Sequence, residues 1–216
     1  GGPTKYRLVM FSSFETRRRD YQTYADSKIG GDQTWKDPGF EQDDDHPVVY
    51  VNHVDASGFC RWLTEKERKE GRIPAHAEYR LPTDHEWSCA IGLGTLEDPE
   101  EAAETKSLKL ENHYPWGNEW PPKFGADNLV PALNVDKFEN TSPVGSFPPE
   151  RPKLYDMGGN VEEMCLEHGT VPPQHQGITR GGSYMSGIAD NMYESSLRTG
   201  STEEPNESTK QLWKTM

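Results

Sequence analysis

The residues best placed to do chemistry fall between positions 154 and 184. The run LYDMGGNVEEM (154–164) gathers Asp156, Asn160, Glu162 and Glu163 around paired glycines, and RGGSY (180–184) closes the stretch after a short polar connection. Glycine lets the backbone turn its carbonyls towards one point. Carbonyl, amide and carboxylate oxygens together are the donor set of a hard cation, which takes about six to eight oxygens at about 2.3–2.6 Å. Thiol chemistry is a poorer match, because Cys165 is the last cysteine in the chain. Ser183 and Ser186 have no histidine and acid close in sequence, so the spacing specifies no triad. Glu162 and Glu163 are adjacent and point different ways, which argues against a paired acid–base role. His168 and His175 read as surface histidines before metal ligands.

These residues need elements to hold them. Residues 6–14 (YRLVMFSSF) are rich in β-branched and aromatic types and predict a strand. Tyr21, Tyr24 and Ala25 share one face of a short helix, and residues 28–45 predict a loop anchored by Trp35 and Phe40. The run VVYVNHV (48–54) predicts a short buried strand. Asp55 is placed to cap a helix whose apolar face carries Ala56, Phe59, Cys60 and Leu63, with Gly71 as its left-handed terminator. Thr83 and Glu86 form the T-x-x-E pattern of a capping box, followed by Trp87, Ala90 and Ile91 on one face and stopped by Gly92 and Gly94. Residues 97–104 read as an exposed acidic insertion. From Tyr114 onward, Gly, Pro and Asn break the chain into short apolar pieces, as in YPWGNEWPP and PVGSFPPERP.

Composition narrows the function classes. Of the 216 residues 32% are hydrophobic and 10% aromatic, with six Trp among them, which suits one loop-rich α+β domain over residues 1–216. The formal net charge of −13 speaks against nucleic acid as a partner, because phosphate binding rests on cationic neutralisation. The basic cluster at residues 17–19 reads as a solvated helix face. No apolar run approaches the roughly 18 residues of a membrane span, and the N-terminus has no signal-peptide pattern. Cys60, Cys89 and Cys165 lack the spacing of a zinc site, and Cys60 and Cys89 read as buried thiols in preference to a disulfide.

Taken in order, HPVVYVNHVDASGFCRWL (46–63), YRLPTDHEWSCAIG (79–92), YPWGN (114–118), PVGSF (143–147), LYDMGGNVEEM and RGGSY resemble the formylglycine-generating enzymes, or sulfatase-modifying factors. The resemblance covers about residues 14–216. It implies a C-type lectin-like fold with two main helices, small twisted sheets and much irregular chain. It also suggests a shortened N-terminus or a piece of a longer chain. Two calcium sites are implied. One would use the side chains of Asn128 and Asp136 with the carbonyls of Leu129 and Phe138. The other would use the carbonyls of Asp156, Gly159 and Val161 with the carboxylate of Glu163.

The same resemblance exposes departures. Family catalysis uses two cysteines after RGGSY that bind copper and activate oxygen to oxidise a substrate Cys, and soft thiolates suit Cu(I). Here the first position corresponds to Ser186 and the second falls at Asp190 or Asn191, so no copper is expected. Glu162 and Met164 stand where GNVWEW has tryptophans, which makes that wall more acidic. Trp213, in an altered terminal signature, is expected to keep the aromatic's core role. The leading expectation is a monomeric, non-catalytic module binding a protein, peptide or glycan through Ser186, Asp190, Asn191, Met192, Tyr193, Glu194, Arg198 and Glu203. Variable proteins of diversity-generating retroelements use the corresponding face in this way. The alternatives are a divergent oxidoreductase, of the formylglycine-generating or sulfoxide-synthase type, and an inactive regulatory paralogue.

Overall fold

Two helices begin where a side chain can close the first turn. In the computed structural model, which describes residues 8–28, 33–102, 105–106, 113–119, 122–123, 125, 136–166, 177–185 and 213–214, α1 spans Arg18–Ala25, α2 His53–Lys69 and α3 Asp84–Ile91. The cap of α2 is Asn52, whose side chain accepts from the N–H groups of Val54 and Asp55 while Asp55 accepts from the Asn52 N–H. The expected cap at Asp55 is thus corrected: Asp55 is the third helical residue and the acidic half of a capping box. Gly71, at φ 71°, ends the helix, with the Arg72 N–H returning to the Glu67 carbonyl at 2.9 Å. α3 opens with Thr83 and Glu86 as expected and closes at Gly92 in the left-handed region.

A three-stranded sheet runs between the helices in the order β2–β1–β3, with β1 at Glu162–Leu166, β2 at Gly177–Arg180 and β3 at Trp213–Lys214. β1 and β2 pair antiparallel, with Glu163 opposite Arg180 and Met164 opposite Thr179, and β3 joins β1 in parallel. Successive side chains of a strand point to opposite faces. Met164 accordingly enters a core with Tyr21, Tyr24, Trp35, Phe59 and Leu81, while Cys165 and Ile178 enter a second core with Trp87, Ile91 and Met157. Each fully buried large side chain contributes about 1.5–3 kcal/mol. The two-sided burial locks the register, since a one-residue slip would exchange the cores.

Several expectations change. Residues 8–14 form no strand: Leu8 and Met10 are exposed, and the segment is held where the Tyr155 N–H reaches the Ser13 carbonyl and Phe14 stacks on Tyr155 at 4.8 Å. Val48, Val49 and Val51 are fully buried as expected, yet the run is not a strand, because Tyr50 adopts φ 58° and turns the chain. Residues 98–100 are exposed, but the Glu97 side chain is buried. Cys60 is buried, whereas Cys89 is exposed, and all three thiols are free. Of RGGSY, only Arg180 belongs to a strand. Trp213 lies in β3, and its side chain is outside the described residues.

Thr83→Ala removes the hydroxyl that accepts the Glu86 N–H. Urea denaturation should show a loss of about 1 kcal/mol with unchanged m-value, and Thr83→Ser should restore it.

Candidate functional site

Asn160 is where the glycine-rich stretch acquires its shape. Its side chain is fully buried, and its amide donates to Glu15 Oε2 at 2.7 Å and to the Ser142 carbonyl at 3.3 Å, while its oxygen accepts from the Ser142 N–H at 2.9 Å. Its own carbonyl accepts from the Tyr184 N–H at 2.9 Å, and the neighbouring Gly159 N–H donates to the Gly181 carbonyl at 2.8 Å. Asn tolerates the φ of 50° found here because its short polar side chain bonds locally. Four sequence-distant pieces, at Glu15, Ser142, Asn160 and Tyr184, are thereby fixed together. Asp156, also at positive φ, accepts from the Gly145 N–H at 2.6 Å and fastens the PVGSF turn.

Arg180 fastens the other side. Its guanidinium bonds to Asp84, donates to Ser88 Oγ at 3.1 Å and lies 4.3 Å above the Trp87 ring. Lys106 Nζ reaches Asp84 Oδ2 at 2.7 Å, and Glu97 lies 3.9 Å from both cations. Two acids and two bases thus share one buried, neutral cluster. Burial alone would push the Asp84 carboxyl up, but the charges of Arg180 and Lys106 and their hydrogen bonds hold it below its usual range.

Beyond Arg180 the chain turns through Gly181 and Gly182, both at positive φ, before Ser183 and Tyr184 are buried again. A Cβ at Gly181 would collide with Glu163 Oε2 and lie 2.8 Å from the Met157 carbonyl, so glycine leaves room for these oxygens to converge. Tyr184 packs edge-on against Phe40 at 5.7 Å, and its hydroxyl is pushed up to about 12 by burial, with Tyr50 adding to the effect. Met185 is exposed where the described chain leaves the core. Glu162, on the Met164 face of β1, has its carboxyl pushed up to about 7 by burial, against the opposing hydrogen bond from Thr179.

The sulfatase-modifying factor enzyme 1-like domain family matches this chain over residues 5–211. The chain belongs to this family. It is 30% identical over 163 residues to the formylglycine-generating enzyme of Bos taurus, covering 65% of this chain and 36% of that protein. It is 29% identical over 185 residues to the inactive C-alpha-formylglycine-generating enzyme 2 of the same species, covering 78% and 51%. The chain therefore spans about a third to a half of the length of these relatives. PvdO from Pseudomonas aeruginosa shares the fold at a TM-score of 0.51 and 20% identity, covering 80% of this chain and 67% of that one. CarF does so at 0.50 and 24%, covering 82% and 75%. The α+β fold is thus that of the formylglycine-generating-enzyme type.

The expected site residues divide on this sulfatase-modifying-factor scaffold. Asp156, Gly159, Val161 and Glu163 lie together in the turn and strand around Asn160, and Val161 and Glu163 are fully buried. Asp136 is half-buried and accepts from the Phe138 N–H at 2.6 Å, a turn-capping bond, while Asn128 and Leu129 lie outside the described residues. Ser186, Asp190, Asn191, Met192, Tyr193, Glu194, Arg198 and Glu203 also lie outside them, as do His168 and His175. Sequence reasoning passed over Asp84, Glu97 and Lys106, whose roles depend on partners elsewhere in the chain, and named Phe40 as a loop anchor without its partner Tyr184. The T-x-x-E pattern gave the one usable hint, since it places Asp84 at the start of a helix, one turn before Ser88.

Glu162 sets a pH dependence whose sign follows from its burial. Its folded carboxyl binds a proton up to about 7 against an ordinary 4.5, so this group's stability contribution is full at low pH and declines as pH rises through about 7. Glu162→Gln should therefore be more stable than the native chain at pH 8, by roughly 1–3 kcal/mol, and equal to it near pH 4.5. Thermal unfolding of both across that range tests the assignment, and a difference independent of pH would refute it.

Proposed function

We propose that this chain is a non-catalytic ligand-binding module on the sulfatase-modifying-factor scaffold. The observation that carries the reading is where its thiols are. Cys60 lies inside the first core with its thiol pushed up to about 12 by burial, Cys165 is buried in β1, and Cys89 sits on the surface of α3. None follows RGGSY, where Ser186 and Asp190 or Asn191 stand in for the copper-binding pair. Hydroxyl, carboxylate and amide groups are poor ligands for Cu(I). The binding face of this proposal is the segment after Tyr184, with Ser186, Asp190, Asn191, Met192, Tyr193, Glu194, Arg198 and Glu203. Its three carboxylates against one guanidinium favour a neutral or cationic protein, peptide or glycan over an anionic ligand.

The native chain should bind Cu(I) no more tightly than free peptide thiols do and should leave a Cys-containing sulfatase peptide without an aldehyde, read by mass spectrometry. Aldehyde formation would overturn the proposal. The similarity to the inactive C-alpha-formylglycine-generating enzyme 2 supports a second reading, an inactive paralogue that holds such peptides without turnover. Retention of the sulfatase peptide on immobilised chain separates the two, because a module with an unrelated ligand ignores it.

Calcium is part of the same proposal. The buried Glu163 carboxylate, the Met157 carbonyl nearby and the left-handed turn through Asp156, Gly159 and Asn160 fit a hard, oxygen-preferring ion held by Glu163 and the carbonyls of Asp156, Gly159 and Val161. Bound calcium would neutralise the Glu163 carboxylate and pin the turn. For the site containing Asp136 and Phe138, the residues described supply half the donor set. Chelation should lower Tm by several degrees and readdition should restore it, since a ligand held only by the folded state contributes about 2.7 kcal/mol at a hundredfold excess over Kd. Glu163→Gln should remove most of that response and Asp136→Asn a separate share.

A further inference from the structure

Two groups on the outer side of α3 and one from the segment after it play no part in the binding reading. Cys89 Sγ is 3.5 Å from His85 Nε2, one helical turn earlier, and the thiol is exposed. His85 Nδ1 is buried and lies 3.8 Å from Glu97 Oε2. Glu97 comes from the segment after the 3₁₀ turn Gly94–Leu96. Its side chain is 2% exposed, its Oε1 accepts from Ser88 Oγ at 2.8 Å, and its Oε2 has no hydrogen-bond partner and faces the histidine. The carboxylate charge 3.8 Å from Nδ1, beyond hydrogen-bond length, favours a proton on that nitrogen, and Nε2 is the ring nitrogen within reach of the thiol. Nucleophile, base and orienting acid thus stand in working order.

We propose that Cys89 is a modification site, a thiol that exchanges with low-molecular-weight disulfides, with His85 as its base and Glu97 as a positioning residue. The Cys89 proton passes to His85 Nε2 while the sulfur attacks one sulfur of the disulfide. The bond to Cys89 forms as the disulfide bond breaks, and the departing thiolate takes the proton back from His85. One thiol is consumed and one released, so no further oxidant is needed. The base is essential here: burial first, then the charges of Glu97 and Glu86, push the Cys89 thiol up, with Lys106 opposing. An unassisted thiolate is therefore disfavoured, and His85 Nε2 is the acceptor within reach of the sulfur. A Cβ at Gly94 would collide with Cys89 Sγ, so the 3₁₀ turn closes one side of the sulfur and attack comes from solvent.

Incubation of the whole chain with oxidised glutathione, followed by intact mass and peptide mapping, tests this. A single adduct should form at Cys89, about tenfold faster at pH 7 than at the same residue in the urea-unfolded chain, and Cys89→Ser should abolish it. His85→Gln should lower the rate about tenfold while leaving the fold intact by circular dichroism, because the His85 side chain is part-exposed and glutamine is of similar size. Glu97→Gln should alter the pH dependence of the rate, which a packing role alone would leave in place. The charged groups around the thiol are Glu86, Glu97 and Lys106, with Arg180 behind Glu97. If Glu97→Gln fails to fold, His85→Gln decides alone. A rate equal to that of the unfolded chain, or one unchanged in His85→Gln, overturns the proposal.

Discussion

Arg180 is buried to within 1% of complete exclusion from water, and the rest of the structure is arranged so that it can be. An unpaired charge in the interior costs several kcal/mol, and breaking a buried pair typically costs about 3–5 kcal/mol. Asp84 and Lys106 neutralise each other and Arg180 with Glu97 as the fourth charge, while the Trp87 face offers the guanidinium its quadrupole. The requirement reaches far along the chain. Position 84 must start a helix, position 97 must fold back from the turn after it, and position 106 must come in from the far side of an acidic segment. The stretch after α3 is therefore a structural wall of the second core, despite its loop-like composition.

From that anchor the glycine-rich centre gets its geometry. Arg180 ends β2 against α3, and the next two residues reverse direction in a conformation open mainly to glycine. The reversal returns Tyr184 to the Asn160 carbonyl, and Asn160 holds Glu15 and Ser142. The base that precedes residue 186 is held by the Gly159–Gly181 and Tyr184–Asn160 backbone bonds and by the Met185 N–H on Ser183 Oγ. Loops that bind are most effective on such scaffolds, because ordering the base beforehand spares that entropy at the moment of binding.

Local signals were legible in the sequence and distant ones were not. Thr83 and Glu86 announce α3 because a capping box is closed within four residues. Asn52 was passed over as the α2 cap because Asp55, three residues on, has an equally suitable oxygen, and the structure uses both. Burial of Val48, Val49 and Val51 was readable from their types, but the backbone of that run was not, since Tyr50 turns it by adopting a conformation that its side chain does not advertise. Glu97 looked like a solvated charge because it opens an acidic run and its partners, Ser88, Lys106 and Arg180, lie elsewhere in the chain. Cys89 looked buried because its neighbours Trp87, Ala90 and Ile91 are apolar, but it lies on the opposite side of the helix from Trp87 and Ile91. The site residues beyond Tyr184 were named from a family resemblance, and they lie outside the described residues.

The described bonds that shape the centre are made by the Asn160 amide, the Asp156 carboxylate and the Arg180 cluster, and β3 at Trp213–Lys214 adds its parallel pairing to β1. Glu162 adds a carboxyl to the same sheet, pushed up to about 7 by burial, so that its protonated and ionised forms coexist near neutral pH. Such a carboxyl donates a hydrogen bond as readily as it accepts one.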